Sequence, residues 1–473
     1  MAVDEALNKD FYLLVEAGTG TGKSLAYLIP AVRTALARGQ RALISTHTVN
    51  LQEQLIRKEI PVVKQLLGTD FPVALVKGRQ HYLCCWRWEQ VLKEHEFGPD
   101  AARFYARILV WLTKSTTGDF GELNILEAEK EALLRVNATA EGCLGKECPW
   151  TAQCFVNRAR QQAERAMVLV TNHALLLADA FGRQTVLPEY GPLVIDEAHH
   201  LEDVATECLT QSIWRHGIEQ WLERLEAHLS RGGKALLLLP AWETLAERIK
   251  TANEALWSAV TNFFLSLERL LTREEFLWQG GPPAKLLRTG SGHLVFDTEA
   301  NIWFQKLTAE FDGLLTVCRE LLREKVNWSE DWVEEFRLIL QEGEKLLATL
   351  TEIVTSTGED RVAWVEGVHS GATLQAVLKA APVSVAEALN QALFNRPQGI
   401  VLTSATLTVK KRFDHYLKRV GLDQVPPDRL RFLRVDSPFA YREKAVLCIV
   451  RDLPLWQEVA AEEYIAAVAA ALF

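Results

Sequence analysis

Short apolar runs alternate with longer amphipathic stretches over the first eighty residues of the chain. Leu13-Leu14-Val15 reads as a buried strand and Leu25 to Leu36 as a helix. Arg41-Ala42-Leu43-Ile44 reads as a second strand, followed by a helix with Leu51, Leu55 and Ile56 turned inward. Pro72 to Val76 reads as a third strand. The strand pattern stops at Gln80. It resumes at Ala166-Met167-Val168-Leu169-Val170, at Leu193-Val194-Ile195 and at Gly399-Ile400-Val401-Leu402-Thr403. Strands and helices in this alternation predict a parallel, doubly wound sheet, so the fold class is α/β.

Two stretches depart from that pattern. From Gln80 to about Arg165 helical spacing takes over around Phe104, Ile108 and Trp111, with few other obvious core residues. From Ile213 to about Thr357 the apolar positions fall at three–four spacing. Trp214, Ile218, Trp221, Leu222 and Leu225 form one stripe, Leu245 to Leu271 a second, and Phe304, Leu307, Phe311, Leu314, Cys318 and Leu321 a third. These predict packed antiparallel helices, broken at Gln279-Gly280-Gly281-Pro282-Pro283. The tryptophans here suit a core better than base-stacking platforms. Beyond Asp436-Ser437-Pro438-Phe439 the pattern gives a strand around Val446 to Val450 and an apolar helix ending at Phe473. No internal repeat is visible.

Chemistry enters between the first strand and the first helix. Glu16-Ala17-Gly18-Thr19-Gly20-Thr21-Gly22-Lys23-Ser24 is a glycine-rich loop that opens a helix, an arrangement whose backbone N–H groups cradle polyphosphate. Ala17 stands where the strict pattern begins with glycine. Ala17, Gly18, Thr19, Gly20, Thr21, Gly22, Lys23 and Ser24 are therefore candidate nucleotide contacts, Lys23 on the β/γ-phosphates and Ser24 on Mg²⁺. The strand Leu193-Val194-Ile195 runs into Asp196-Glu197-Ala198-His199. There Asp196 would share Mg²⁺ with Ser24, and Glu197 would orient and deprotonate the attacking water, with His199 a further candidate for catalysis. Ser404 and Thr406, after the last buried strand, would sense the γ-phosphate. Thr46, Thr48 and Gln52 follow the second strand, where open α/β sheets bind ligands. They read as contacts to a phosphate-rich partner or as simple helix caps.

The segment from Gln80 to Arg165 holds five of the eight cysteines. Cys143, Cys148 and Cys154 are compactly spaced, and Cys84-Cys85 can supply a fourth thiolate to zinc or to an iron–sulfur cluster. Adjacent cysteines on an extended chain diverge, so only one of Cys84 and Cys85 should face such a centre. A chain of 473 residues is long enough for roughly two to four domains. Its net charge of -9 gives no overall basic footprint, so contact with nucleic acid must come from local patches. No signal peptide is visible in Met1 to Asp10, and no apolar run reaches membrane-spanning length. Eight cysteines without a secretion signal suit a reducing compartment, and a cytoplasmic location is expected.

The order of these motifs resembles the DinG/XPD group of superfamily 2 helicases, with a close match to its bacterial DinG branch. The likeness rests on Glu16 to Ser24, Ser45-Thr46-His47-Thr48, Gly78-Arg79 with Tyr82-Leu83-Cys84, and Thr171 to Leu176. It continues through Asp196 to Asp203, Leu402 to Leu407 and Ser437-Pro438-Phe439. The resemblance implies an ATP-dependent 5′-to-3′ DNA helicase that works as a monomer on single-stranded and forked DNA, in repair or replication. It implies ATP, Mg²⁺ and a [4Fe-4S] cluster on Cys84, Cys143, Cys148 and Cys154, Cys84 because it takes the family's Tyr-x-Cys place. A RecA-like motor domain would be interrupted by an iron–sulfur domain and a helical arch. The corresponding boundaries are 1–79, 166–212 and 386–440 for the motor domain, 80–165 for the cluster domain, 213–385 for the arch, and 441–473 for the start of a second motor domain. Two family elements are not seen: an adenine-reading Arg-x-x-Gln upstream of the loop, and the arginine-finger motif of the second motor domain. The expectation is thus a chain truncated at both ends, slow in ATP turnover. The competing expectations are a non-catalytic DNA-binding fragment and a P-loop ATPase with structural zinc.

Overall fold

A computed structural model of the chain describes residues 1–93, 97–139, 143–182, 186–231, 242–272, 284–286, 296–323, 330–355, 360–370, 373–440, 443, 445–446, 449–451, 453–455 and 459–472. The first five strands are β1 (Tyr12–Ala17), β2 (Ala42–Thr46), β3 (Val73–Leu75), β4 (Val168–Asn172) and β5 (Leu193–Asp196). Four more, β6 (Gln211–Trp214), β7 (Ala284–Leu286), β8 (Arg361–Ser370) and β9 (Thr373–Pro382), build a separate sheet. The chain then returns with β10 (Ile400–Ser404) and β11 (Leu430–Val435). The larger sheet has the order β11-β1-β10-β5-β2-β4-β3, and every neighbouring pair is parallel.

Parallel strands covered on both faces are apolar at nearly every position, and here alternate residues feed two cores. Tyr12, Leu14, Leu43, Leu169, Ile195 and Leu402 face one side. Leu13, Val15, Ile44, Val170, Val194 and Val401 face the other, against the helix Lys23–Arg38. Each such side chain contributes about 1.5–3 kcal/mol by leaving water. The six strands expected for this sheet are all present, with ends shifted by a residue or two and β3 shortened to three residues. β11 was not expected: its outer residues Phe432, Leu433 and Val435 are exposed, so it lacks the unbroken burial that marks its neighbours.

The cysteine-bearing segment has a core of its own, contrary to expectation. Leu83, Phe104, Ile108, Phe120 and Val136 are buried together, with Trp88, Tyr105 and Trp111 closing round them. Much of this core comes from irregular chain and short helices, which carry no long stripe to read in advance. A nearly enclosed ion pair, Lys77 Nζ to Asp119 Oδ2 at 2.5 Å, ties it to the end of β3.

The helical stretch consists of Arg215–Arg231, Trp242–Leu271, Thr298–Arg323 and Glu330–Thr355, and the expected stripes are buried. Trp221 is fully enclosed and its indole N–H donates to the Ile339 carbonyl at 2.7 Å. Trp214, assigned to the first stripe, instead lies in β6 and is 56% exposed. The all-helical expectation is corrected by the second sheet, of order β6-β9-β8-β7, whose pairs are antiparallel. Ala363, Val365, Ala376, Leu378 and Ala380 turn one face of it onto the helices.

The Gly/Pro break at 279–283, Thr357 and Phe473 lie outside the described residues. So do residues 447 and 448 of the strand expected around Val446 to Val450. Val446, Ile449 and Val450 are exposed and form no strand. Among the described residues no helix is long and apolar enough to cross a membrane.

Candidate functional site

The glycine-rich loop leaves the carboxyl end of β1 and turns into the helix Lys23–Arg38. Gly20 (φ +79°) and Gly22 (φ +74°) occupy the left-handed region, which glycine adopts without steric cost. Gly22 caps the helix with no side chain in the way, so the first-turn N–H groups stay open to an anion. Thr21 braces the turn, its hydroxyl donating to the Gly18 carbonyl at 2.9 Å.

Strand register brings the remaining parts together. Thr403 on β10 pairs with Asp196 on β5, and Ser404 with Glu16 on β1, so three strand ends converge beside the loop. Lys23 Nζ lies 3.6 Å from Glu197 Oε1. The far oxygen, Oε2, is 3.3 Å from His199 Nδ1 and 3.4 Å from Ser404 Oγ, and His199 Nδ1 and Ser404 Oγ are 2.6 Å apart. Ser404 Oγ also accepts the Thr406 N–H at 3.2 Å. Glu197 holds a left-handed φ of +53° without being glycine, a strained conformation of the kind that collects at functional sites.

Asp196 is buried at the end of β5 and accepts from the Tyr27 hydroxyl at 3.0 Å. Burial, with the Glu197 charge adding to it, pushes the Asp196 carboxyl up to about 6; Tyr27 and Lys23 oppose the shift. Burial and Asp196 in turn push the Tyr27 hydroxyl up, while a hydrogen bond with Ser24 pulls it down. Two carboxylates with a single lysine beside them leave a negative excess, which is the donor chemistry a divalent cation takes. Asp196 and Ser24 meet through Tyr27, so the residues present fit Mg²⁺.

Of the predicted site residues, Lys23, Asp196, Glu197, His199 and Ser404 are brought together, with Thr406 at their edge. Thr46, Thr48 and Gln52 share no common surface. Thr48 caps the helix Val49–Gln54, accepting the Leu51 N–H at 3.3 Å, while Thr46 and Gln52 are buried. Thr46 Oγ1 and Gln52 Oε1 have no hydrogen-bond partner there.

Three participants were missed in the sequence. Tyr27 follows Lys23 by one helical turn, a spacing that would have placed it on the same face. Glu16 accepts from the Leu407 N–H at 2.9 Å, the Thr408 N–H at 2.6 Å, the Thr408 hydroxyl at 2.8 Å and Arg434 Nε at 3.1 Å. Burial works to raise its pKa, but these bonds outweigh it and hold the carboxyl below its ordinary value. His173, at the end of β4, lies 2.8 Å by Nδ1 from Ser45 Oγ, and burial pushes it down to about 3, so it stays neutral. His47 stacks on His200 with centroids 3.8 Å apart, carrying contact from β2 to the residues after Glu197.

Cys84 and Cys154 stand immediately before the helices Cys85–Leu92 and Phe155–Arg165. Cys84 is close enough to Cys148 for their charges to interact, and Cys85 to Cys154, Cys84 and Cys148. Burial raises the Cys84 thiol and pushes the Cys85 thiol up to about 11. Cys143 is exposed. The donor chemistry suits a sulfur-ligated metal, yet among the described residues no three His, Cys, Asp or Glu side chains close on one centre.

Comparison with known proteins agrees with the geometry of the loop. Residues 1–81 match the DEAD/DEAH box helicase family. The chain is 28% identical to the 3′-5′ exonuclease DinG of Bacillus subtilis, over 98% of this chain and 50% of that protein. It is 30% identical to the ATP-dependent helicase DinG of Mycobacterium tuberculosis, over 96% of this chain and 65% of that protein. The chain therefore spans between half and about two thirds of the length of these relatives. A solved chain named Truncated XPD overlaps with a TM-score of 0.43 at 13% identity, covering 92% of this chain and 98% of that one. The first 81 residues thus resemble a DEAD/DEAH box helicase domain, and the chain as a whole is similar to DinG along nearly all its length.

Proposed function

We propose that this chain carries the nucleotide-binding motor of an ATP-dependent DNA helicase. The observation that supports the reading best is the meeting of Lys23, Asp196, Glu197 and Ser404 at the carboxyl ends of β1, β5 and β10. Lys23 leans on Glu197. A bound polyphosphate would draw Lys23 onto its β/γ-oxygens and free Glu197 Oε1 to take a proton from water. His199 and Ser404 hold Oε2, so the carboxylate keeps its direction when Lys23 leaves. Ser24 and Asp196 would hold Mg²⁺, which supplies charge neutralisation on the phosphate oxygens when bound. The loop from Ala17 to Ser24 would bind and orient the triphosphate.

The reading extends to a monomer acting in the cytoplasm on single-stranded and forked DNA, translocating 5′ to 3′. Relatives named as ATP-dependent helicases support DNA as the partner. Thr46, Thr48 and Gln52 are the least supported DNA contacts, given their burial and capping. Cys84, Cys143, Cys148 and Cys154 are proposed to hold a [4Fe-4S] cluster, with motor, cluster and arch units divided as expected from the sequence. Mg²⁺-dependent ATP binding, and phosphate release with and without single-stranded DNA, test the proposal. Binding followed by DNA-stimulated release is expected. A chain that binds no nucleotide in the presence of Mg²⁺ overturns it.

A further inference from the structure

The segment after β11 runs against the outside of the phosphate loop. β11 pairs with β1 as far as Val435 opposite Ala17, and the Gly18 N–H then donates to the Val435 carbonyl at 3.1 Å. The Ser437 hydroxyl donates to the Thr19 carbonyl at 2.9 Å, and the same oxygen accepts the Phe439 N–H at 3.3 Å. One hydroxyl therefore grips the loop and aims the residue two positions on. Phe439 lies over Gly20 so closely that a methyl group built on Gly20 would stand 2.4 Å from the ring. One built on Gly18 would stand 2.8 Å from both Cβ and N of Ser437. Phe439 is 52% exposed, so its ring adds little to any core.

We propose that Ser437 and Phe439 are positioning residues of the phosphate loop, bracing Gly18 to Gly20 and coupling nucleotide occupancy to the segment 436–440. Glycine at φ +79° has many other conformations open to it, and a loop of glycines loses most entropy when it closes on a phosphate. The brace removes part of that cost in advance by giving Thr19 and Gly20 fixed neighbours. It also has a reciprocal: whatever phosphate does to the loop is felt by Ser437 and Phe439, because coupling between two sites is symmetric. The bracing half stands on contacts alone. The coupling half rests on the nucleotide reading given above.

The test uses the whole chain and has two parts. In nucleotide-free protein, amide hydrogen exchange across residues 17–24 should rise at least about 5-fold in Ser437→Ala and in Phe439→Ala. It should stay near wild type in Ser437→Thr and Phe439→Tyr, which keep the hydroxyl and the ring. The melting temperature should not move, since both side chains sit at the surface. Unchanged loop exchange in both alanine variants overturns the brace. Mg²⁺-ADP is then titrated: its affinity should fall about 5- to 20-fold in the alanine variants, within the range usual for coupled sites. In the wild type ADP should alter exchange at 436–440, and in Lys23→Ala it should not. Loosened loops with unaltered ADP affinity overturn the coupling. If the loops loosen and the wild type binds no ADP, the nucleotide reading falls while the brace stands.

Discussion

Replacing Glu16 separates hydrogen bonding from charge at the junction of β1 and β10. In Glu16→Ala the N–H groups of Leu407 and Thr408 lose their acceptor; Leu407 is buried and Thr408 half-buried. Each such loss costs about 1–2 kcal/mol. The Thr408 hydroxyl can turn to water, and Arg434, a third exposed, forfeits at most about 1 kcal/mol. The total is about 2–5 kcal/mol, on the order of a 100-fold or larger increase in local opening. Glu16→Gln keeps an oxygen for both N–H groups and gives up only the pairing with Arg434, for about 1 kcal/mol. The Glu16 carboxyl is held below its ordinary value, so its contribution is present above the unfolded pKa of about 4.3 and is lost as pH falls through the lower folded one. Wild type and Glu16→Gln should therefore differ fully at pH 7 and converge below about pH 4. Native-state hydrogen exchange of β1 and β10 amides reads this locally, which a single melting temperature of a multi-unit chain cannot. Exchange in Glu16→Ala equal to wild type, or Glu16→Gln as loose as Glu16→Ala, would refute the reasoning.

Other expected outcomes are simpler to measure. Lys23→Ala should abolish nucleotide binding with a stability change within about 0.5 kcal/mol; a collapsed melting temperature in the nucleotide-free variant would contradict a phosphate role for Lys23. Glu197→Gln should still bind Mg²⁺-ATP and release phosphate about 10²–10⁴-fold more slowly, and turnover at the wild-type rate would move the base elsewhere. Asp196→Asn should stabilise the nucleotide-free chain at pH 7 by about 1–3 kcal/mol while weakening Mg²⁺-dependent binding. Because the folded pKa is raised to about 6 from an unfolded value of about 3.9, the wild-type disadvantage is absent below about pH 4, grows between about pH 4 and 6 and is complete above 6. A denaturation series at pH 4, 6 and 8 decides it. Among the cysteines, Cys84→Ser, Cys143→Ser, Cys148→Ser and Cys154→Ser should each lose iron and acid-labile sulfide. Colourless protein with stoichiometric zinc would remove the iron–sulfur proposal.

The proposed nucleotide site was legible because its parts are local in sequence. A glycine-rich turn between a strand and a helix, and two acids ending a strand, announce themselves within a few residues of Gly18 and Asp196. The supports around them are not local. Glu16 binds residues nearly four hundred positions away, and nothing near Glu16 distinguishes it from a surface carboxylate. The helical stripes were readable from spacing, whereas β8 and β9 were passed over. Their alternation, Ala363 and Val365 in with Val362 and Trp364 half out, was there to be seen, but a helical context on both sides masked it. Buried glutamine and threonine after β2 mark the opposite error: polar residues at a strand end look like surface until packing is known.

The place of β1 in its sheet sets a schedule for making the protein. β5, β2, β4 and β3 are contiguous in the sheet and are complete once Asp196 has been made, so they can assemble early. β1, made before all four, pairs with none of them; among the described residues its neighbours in the sheet are β10 and β11. At about 5–20 residues per second, its Tyr-Leu-Leu-Val run must wait about 20–80 s for Ile400 and its successors. During that interval both edges of an apolar strand are unpaired, the condition that invites association with other chains. β10 then enters between β5 and β1 and closes the sheet in one step, bringing Ser404 beside Glu197. A nascent chain should thus be unable to grip nucleotide until β10 has been synthesised, and holdase chaperones should find their target at residues 12–15.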